Sequence, residues 1–306
     1  MRQRKQSMMT NRLQQLRALL VAAAILCGSS AAFAQSSYIY SAETYSSIVK
    51  SIIAGKDSRE RGEAIRTELR KHNVRVSTQG FSQKARSGAM VEGLNFFAEY
   101  PNPNAKVVIL LGAHLDRVAV GEGAIDNASG SAAVIELFKA FRMNPPKNIL
   151  VKAAFWDQEE VGLVGSRTYV ENNREVLPAI YINFDVFGAG DTIWLASESD
   201  ELDLAKAFTA SAQKAKVNYL VSREYPPSDH LSFRVPVVQS FSFSLGPDGE
   251  AKRIIMLLGG EAPPRGEMPE VLTVIHTAND NFSKIDAMAV TKALPVIEAA
   301  IRSLDK

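Results

Sequence analysis

Residues 148–155 (NILVKAAF), followed directly by residues 156–166 (WDQEEVGLVGS), decide how the chain is read. The first segment is apolar and β-prone, as a strand buried on both faces should be. Two adjacent carboxylates, Glu159 and Glu160, come just after it, and residues 166–172 can begin a helix. Neighbouring residues on an extended or turning chain point in different directions. One carboxylate can therefore bind a metal while the other faces a substrate. A loop after a strand end is where α/β enzymes place their chemistry. An isolated pair of this kind is more often a solvated acidic turn, so the pair acquires meaning only from what the rest of the chain brings near it.

Upstream, residues 106–111 (KVVILL) form a second short, almost wholly apolar strand, running into Gly112-Ala113-His114-Leu115-Asp116. Residues 121–131 (GEGAIDNASGS) are Gly- and Ser-rich and lead into an apolar helix over 132–141. Further upstream, residues 41–71 read as helix with a break near 55–57, and 73–78 and 90–100 read as a hairpin at a sheet edge. Downstream, residues 179–184 (AIYINF) are another central strand ending at Asp185. A strand over 193–196, an amphipathic helix over 203–215, a strand over 235–243 and a closing helix over 287–303 follow. Residues 257–270 are rich in Gly and Pro and read as a binding loop or lid. Strands alternating with helices predict an α/β sandwich with a largely parallel central sheet.

The first 34 residues read as a secretory leader. Arg2, Arg4, Lys5, Arg12 and Arg17 make a basic start, residues 18–27 are apolar but too short to span a bilayer, and Ala32-Phe33-Ala34 is a cleavage signal. A single domain over 35–306, secreted or periplasmic, is the expectation. Cys27 is the only cysteine and lies in that leader, so the remainder has no disulfide, thiol nucleophile or thiolate ligand. Without the five basic leader residues, 30 Lys and Arg stand against 33 Asp and Glu. That balance points away from nucleic acid or an anionic membrane as partner. No later segment is long and apolar enough for a membrane anchor, and a monomer is expected.

Acids and histidines accumulate at the strand ends. Of four histidines, His114, His230 and His276 fall there, whereas His72 sits in a polar stretch. Asp126, Glu159, Glu160 and Asp185 join them. Burying several carboxylates with few cations is costly unless a metal neutralises them. Two His and three carboxylates suit two zinc-like divalent ions, with a bridging carboxylate placing the ions ~3.5–4 Å apart. One carboxylate is then left over as a base.

Gly112-Ala113-His114-Leu115-Asp116, Asp126-Asn127-Ala128-Ser129-Gly130, Glu159-Glu160-Val161-Gly162-Leu163-Val164-Gly165-Ser166, Asn183-Phe184-Asp185 and His276-Thr277-Ala278-Asn279-Asp280 resemble, in order, the five signature blocks of the di-zinc aminopeptidases. These are the secreted bacterial leucyl aminopeptidases, related to glutamate carboxypeptidase II and glutaminyl cyclase. The resemblance covers roughly residues 106–286. It implies a three-layer α/β sandwich with a mixed sheet of about eight strands between helices. It implies two Zn²⁺, or other divalent ions, one held by His114 and Asp185, the other by Glu160 and His276, with Asp126 bridging. It implies Glu159 as catalytic acid/base, Asp116 as the carboxylate orienting His114, and peptide or protein N-termini as substrates. Asp280 is expected to orient the His276 loop.

The chain departs from the family pattern at Ile275, where some members carry a Tyr that steadies the oxyanion. Tyr225 is then a candidate donor. Asp229 and His230 resemble an S-D-H block near the active site of relatives, where His230 either contacts substrate or packs behind the site. Two other functions share the resemblance, a glutaminyl-peptide cyclotransferase and a non-catalytic binding domain. The complete ligand set favours the aminopeptidase over both. The preferred N-terminal residue is not legible, since the pocket walls are expected to come from loops around 219–233 and 257–270.

Overall fold

The computed structural model describes residues 38–306, apart from Arg265. The expected leader and its cleavage signal lie outside the described residues. Helix α1 (Ala42–Ile53) starts where the Ser41 hydroxyl accepts the Thr44 N–H, and Tyr45, Ile48, Val49 and Ile52 form its buried stripe. The expected break follows, and α2 (Ser58–Arg70) restarts with Asp57 accepting the Glu60 N–H.

Strands β1 (Val76–Lys84) and β2 (Met90–Ala98) are an antiparallel hairpin, with β1 at the sheet edge. β3 (Val107–His114), β4 (Ile149–Trp156) and β5 (Ile180–Phe184) are parallel neighbours, joined by α3 (Ser129–Met143) and α4 (Val164–Asn172). β6 (Thr192–Ala196), α5 (Asp203–Ala215), β7 (Asn218–Ser222), β8 (Gln239–Gly246), α6 (Glu250–Leu258) and α7 (Ala287–Arg302) complete the chain. The eight strands run in the order β1-β2-β4-β3-β5-β8-β6-β7. The central four are parallel; β2 and β6 pair antiparallel with their inner neighbours. This is the expected three-layer α/β sandwich with a mixed, largely parallel sheet.

Successive side chains on a strand face opposite sides, and the two sides differ. Ile109, Leu111 and Ala113 of β3 pack with Val151, Ala153 and Phe155 of β4 against α1, α2, α3, α5 and α7. Leu110, Ala154 and Trp156 face a smaller cluster with Tyr181, Phe233 and Val170 of α4. Three elements differ from the sequence reading. The strand expected from 235 begins at Gln239, because Pro236 has no N–H to donate and residues 233–238 turn instead. β7 is absent from the sequence reading, because as the edge strand it is exposed or half-buried along its length and shows no extended apolar run. α6 precedes and enters the stretch read as loop, because its Ile254-Ile255-Met256-Leu257-Leu258 run carries no clear period.

Candidate metal centre

The carboxyl ends of β4, β3 and β5 lie side by side, and the expected ligands gather there. His114 is the last residue of β3, and Asp185 immediately follows β5. Glu159 and Glu160 stand in the loop between β4 and α4, and Asp126 in a buried turn (Ala124–Ala128) ahead of α3. His276 reaches in from the loop before α7. Two overlapping groups result: His114, Asp126 and Asp185, and Asp126, Glu160 and His276, each with donor atoms within 4.8 Å of one another.

Asp126 is the shared member. Its Oδ1 lies 3.0 Å from His114 Nε2 and its Oδ2 lies 3.1 Å from His276 Nε2. Asp185 Oδ1 is 3.5 Å from His114 Nε2, and Glu160 Oε2 is 3.0 Å from His276 Nε2. Behind His114, Asp116 Oδ1 is 3.3 Å from Nδ1 while its other oxygen accepts the Glu160 N–H at 3.2 Å. Asp116 thus faces the imidazole of one group and carries the backbone of the other.

The surrounding residues explain the sequence blocks. Asn127 donates to Phe184 O at 2.9 Å and accepts the Gly130 N–H at 2.9 Å, tying the Asp126 turn to the end of β5 and to the start of α3. A Cβ on Gly130 would stand 2.3 Å from Asn127 Oδ1 and 2.4 Å from Phe184 O, so only glycine fits. Asp280 accepts the N–H groups of Ile125 (2.7 Å) and Asp126 (3.2 Å). It was expected to orient the His276 loop; it does more, binding that loop to the turn of the shared carboxylate. Gln158, just before Glu159, Val186, just after Asp185, and His276 itself hold φ of 62°, 52° and 58°. Left-handed backbone at non-glycine residues, one of them β-branched, is strain that clusters at functional sites.

Too many acids share this space for all to ionise. Burial, with Asp126 adding to it, pushes the Glu160 carboxyl up to about 7. Burial likewise raises Glu159 far above the usual carboxylate range, against the pull of His114. Contact with Asp126 lifts His276 to about 9. Burial opposes ionisation of Asp126, but its contacts with His114 and His276 hold it well below the usual range. The cluster therefore borrows protons on its histidines to balance its carboxylates. Buried Glu160 Oε1 and Asp185 Oδ1 have no hydrogen-bond partner. Nitrogen and oxygen donors that converge on two points, and whose protons a cation would displace, fit divalent cations such as zinc.

Residues 95–301 match the sequence pattern of Peptidase family M28. The chain belongs to that family. Over 129 residues it is 37% identical to a probable lipoprotein aminopeptidase, LpqL, of Mycobacterium tuberculosis, covering 41% of this chain and 24% of that protein. Over 116 residues it is 40% identical to an aminopeptidase of Pseudomonas aeruginosa, covering 36% of this chain and 21% of that one. The chain thus spans only a minor part of the length of these curated relatives. The fold is shared with a zinc aminopeptidase from Bacillus subtilis (TM-score 0.69, 14% identity, 87% of this chain and 95% of that one). It is shared equally with a glutaminyl cyclase from Porphyromonas gingivalis (TM-score 0.70, 19% identity, 88% and 100%).

In this M28 chain a cavity of about 370 Å³ opens over the cluster, and His114, Asp126, Glu159, Glu160, Asp185 and His276 all line it. Tyr225 lines it too, packed against Trp194 at 4.7 Å between ring centres. Asp229 and His230 do not reach its wall. They are buried behind it, with both Asp229 oxygens and both His230 nitrogens unpaired, and Tyr225 edge-on to the His230 ring at 5.4 Å. Burial pushes Asp229 up to about 7 and His230 down to about 3. Of the two places open to this block, against a substrate or packed behind the site, the residues occupy the second. The cavity's apolar walls are Ile125, Trp194, Leu245, Ile254, Leu272 and Ile275. They come mostly from β6, β8, α6 and the segment just before His276; of the loops expected to supply the walls, 219–233 contributes Tyr225, Pro226 and Pro227, and 257–270 only Glu270. Apart from Ile275, which the family resemblance singled out, nothing in the sequence marks these residues beyond their being apolar.

Proposed function

We propose that the chain is a metal-dependent aminopeptidase that hydrolyses the first peptide bond of peptides with a free N-terminus. The observation carrying this reading is the shared Asp126, whose two oxygens face His114 and His276 from opposite sides. His114 with Asp185, and Glu160 with His276, would hold two divalent ions, zinc first, with Asp126 between them. Bound there, the ions would supply Lewis acidity toward the scissile carbonyl and the attacking water.

The protein's own part falls to Glu159. Its carboxylate lines the cavity, belongs to neither ligand group, and sits where burial raises its basicity. It takes the proton of the attacking water and delivers it to the leaving amine. Asp116 holds the His114 ring. Tyr225 is the donor assigned to the oxyanion, since Ile275 cannot serve. The carboxylate-rich end of the cavity suits a cationic α-amino group, and its apolar walls suit a branched or aromatic side chain beside it. Peptides beginning with Leu, Ile or Phe are therefore the favoured substrates.

The basic and apolar leader supports a secreted or periplasmic location, tested by mass measurement of the exported chain for cleavage after Ala34. The activity is tested on a panel of aminoacyl-nitroanilides with chelator and with zinc added back. Hydrolysis that chelator abolishes and zinc restores is expected. A protein that instead releases only ammonia from peptides beginning with Gln, without shortening them, is a glutaminyl cyclase, the reading favoured by the second fold likeness.

A further inference from the structure

Arg61 lies on α2, ahead of the residues that match the family pattern, and its side chain is fully buried. Its guanidinium donates three hydrogen bonds, all to main-chain carbonyls. Nε donates to Leu115 O, Nη1 to Glu122 O at 3.0 Å and Nη2 to Gly123 O at 3.1 Å. Leu115 sits between His114 and Asp116. Glu122 and Gly123 lead into the turn that carries Asp126. One planar fork therefore spans the loop between His114 at the end of β3 and the turn of Asp126, and sets the distance across it. Among the described residues no carboxylate lies within ion-pair distance of this guanidinium. Burial lowers it only to about 10, with Asp116, Asp126 and Asp280 opposing the drop, so it keeps its charge at neutral pH. A buried cation committed to carbonyls is expensive to maintain. A hydrophobic side chain would fill the helix–sheet interface at lower cost, so packing alone does not account for an arginine here.

We propose that Arg61 is a positioning residue for the metal centre, holding the loop 115–123 so that His114 and Asp126 converge on one ion. The inference rests on the di-metal aminopeptidase reading above. Arg61 touches neither ligand nor substrate; it acts through the backbone on either side of them. A lysine at this position retains the charge but has a single head that cannot span three carbonyls in a plane.

The test compares wild type, Arg61→Lys and Arg61→Met. Zinc affinity is measured by competition with a chromophoric chelator, melting temperature is measured in the metal-free form, and kcat and KM are measured for leucyl-nitroanilide. Both variants should bind zinc at least tenfold more weakly than wild type and lose kcat at near-constant KM. A metal-free melting temperature that drops while the affinity of the folded protein stays unchanged would overturn the inference and make Arg61 a folding residue only. Should both variants fail to fold, Gly55→Ala decides. The added Cβ would stand 2.9 Å from Arg61 Cγ and 2.6 Å from its backbone nitrogen, displacing the arginine without removing it. Weakened zinc binding in that variant supports the inference; unchanged zinc binding refutes it. A wild-type protein that binds no zinc and cleaves nothing refutes instead the functional reading beneath it.

Discussion

Asp116 connects the two halves of the cluster: one carboxylate oxygen faces His114 Nδ1 at 3.3 Å and the other accepts the Glu160 N–H at 3.2 Å. Orienting carboxylates of this kind affect metal affinity through the ligand they hold. Asp116→Asn keeps the shape but removes the charge and offers an N–H₂ where an acceptor is needed. Zinc affinity should fall by about 10–100-fold, read by chelator competition, with the fold intact by circular dichroism.

Glu159 and Glu160 are adjacent, yet their expected failures differ. Glu159→Gln should retain its zinc and lose about two to four orders of magnitude in kcat, the usual worth of a general base. Glu160→Ala should lose zinc from the His276 group. Metal content by atomic emission, beside single-turnover kinetics, separates the two. Near-normal turnover by the Glu159 variant would remove that residue from the mechanism.

His230 governs part of the acid sensitivity. Burial first, and Arg234 second, hold it at about 3, below its ordinary value near 6.5. The fold therefore keeps it neutral while the unfolded chain takes up a proton. The stability this contributes is full above pH 6.5 and declines as pH falls toward 3, by about 1.4 kcal/mol per pH unit. His230→Leu should flatten that part of the profile. Urea unfolding of both proteins at pH 7 and pH 5 isolates the share of the histidine. Buried Asp157, raised to about 6, acts with the opposite sign and is common to both proteins.

Gly130 is the narrowest point of the scaffold around Asp126. Gly130→Ala sets a methyl against Phe184 O, which is main chain and cannot rotate away. Overpacking of this kind costs about 1–3 kcal/mol. Either the α3 start or the β5 end must shift, so the melting temperature should fall and zinc affinity with it.

Ile254 stands on α6 in the apolar wall of the cavity. Ile254→Asp should raise KM for leucyl-nitroanilide by about tenfold or more, since a buried methyl-rich contact of 1.5–3 kcal/mol is replaced by a charge. The kcat for the same substrate should change far less.

The strands and their ends were legible in the chain for a physical reason. Residues 106–111, 148–155 and 179–184 must be apolar to be buried on two faces, and only a parallel sheet places their carboxyl ends together. Acids and histidines at those ends therefore announced a site before any coordinates. Local cues also marked the break between α1 and α2, where Gly55 and Asp57 end one helix and cap the next. α6 was illegible because its charged residues all precede its apolar run instead of alternating with it, and β7 because an edge strand is only partly buried and its sequence is not apolar throughout.

What the sequence determined by itself was the set of groups at the strand ends: His114, Asp126, Glu159, Glu160, Asp185 and His276. Their chemistry follows from residue type, and their proximity from strand order. What only the tertiary structure decided were relations between segments far apart in the chain. Asp280 holds the Asp126 turn, Arg61 reaches Leu115 and Gly123 from a helix more than fifty residues away, and Asp229 and His230 fall behind the cavity rather than in its wall. Hydrogen bonds and side-chain placement depend on angles and distances of a few tenths of an ångström, which composition and spacing do not encode. From the sequence, one of Glu159 and Glu160 was free to face a metal and the other a substrate, and only the family resemblance said which. It was Asp116, by holding the Glu160 backbone, that settled which of the two points toward His276.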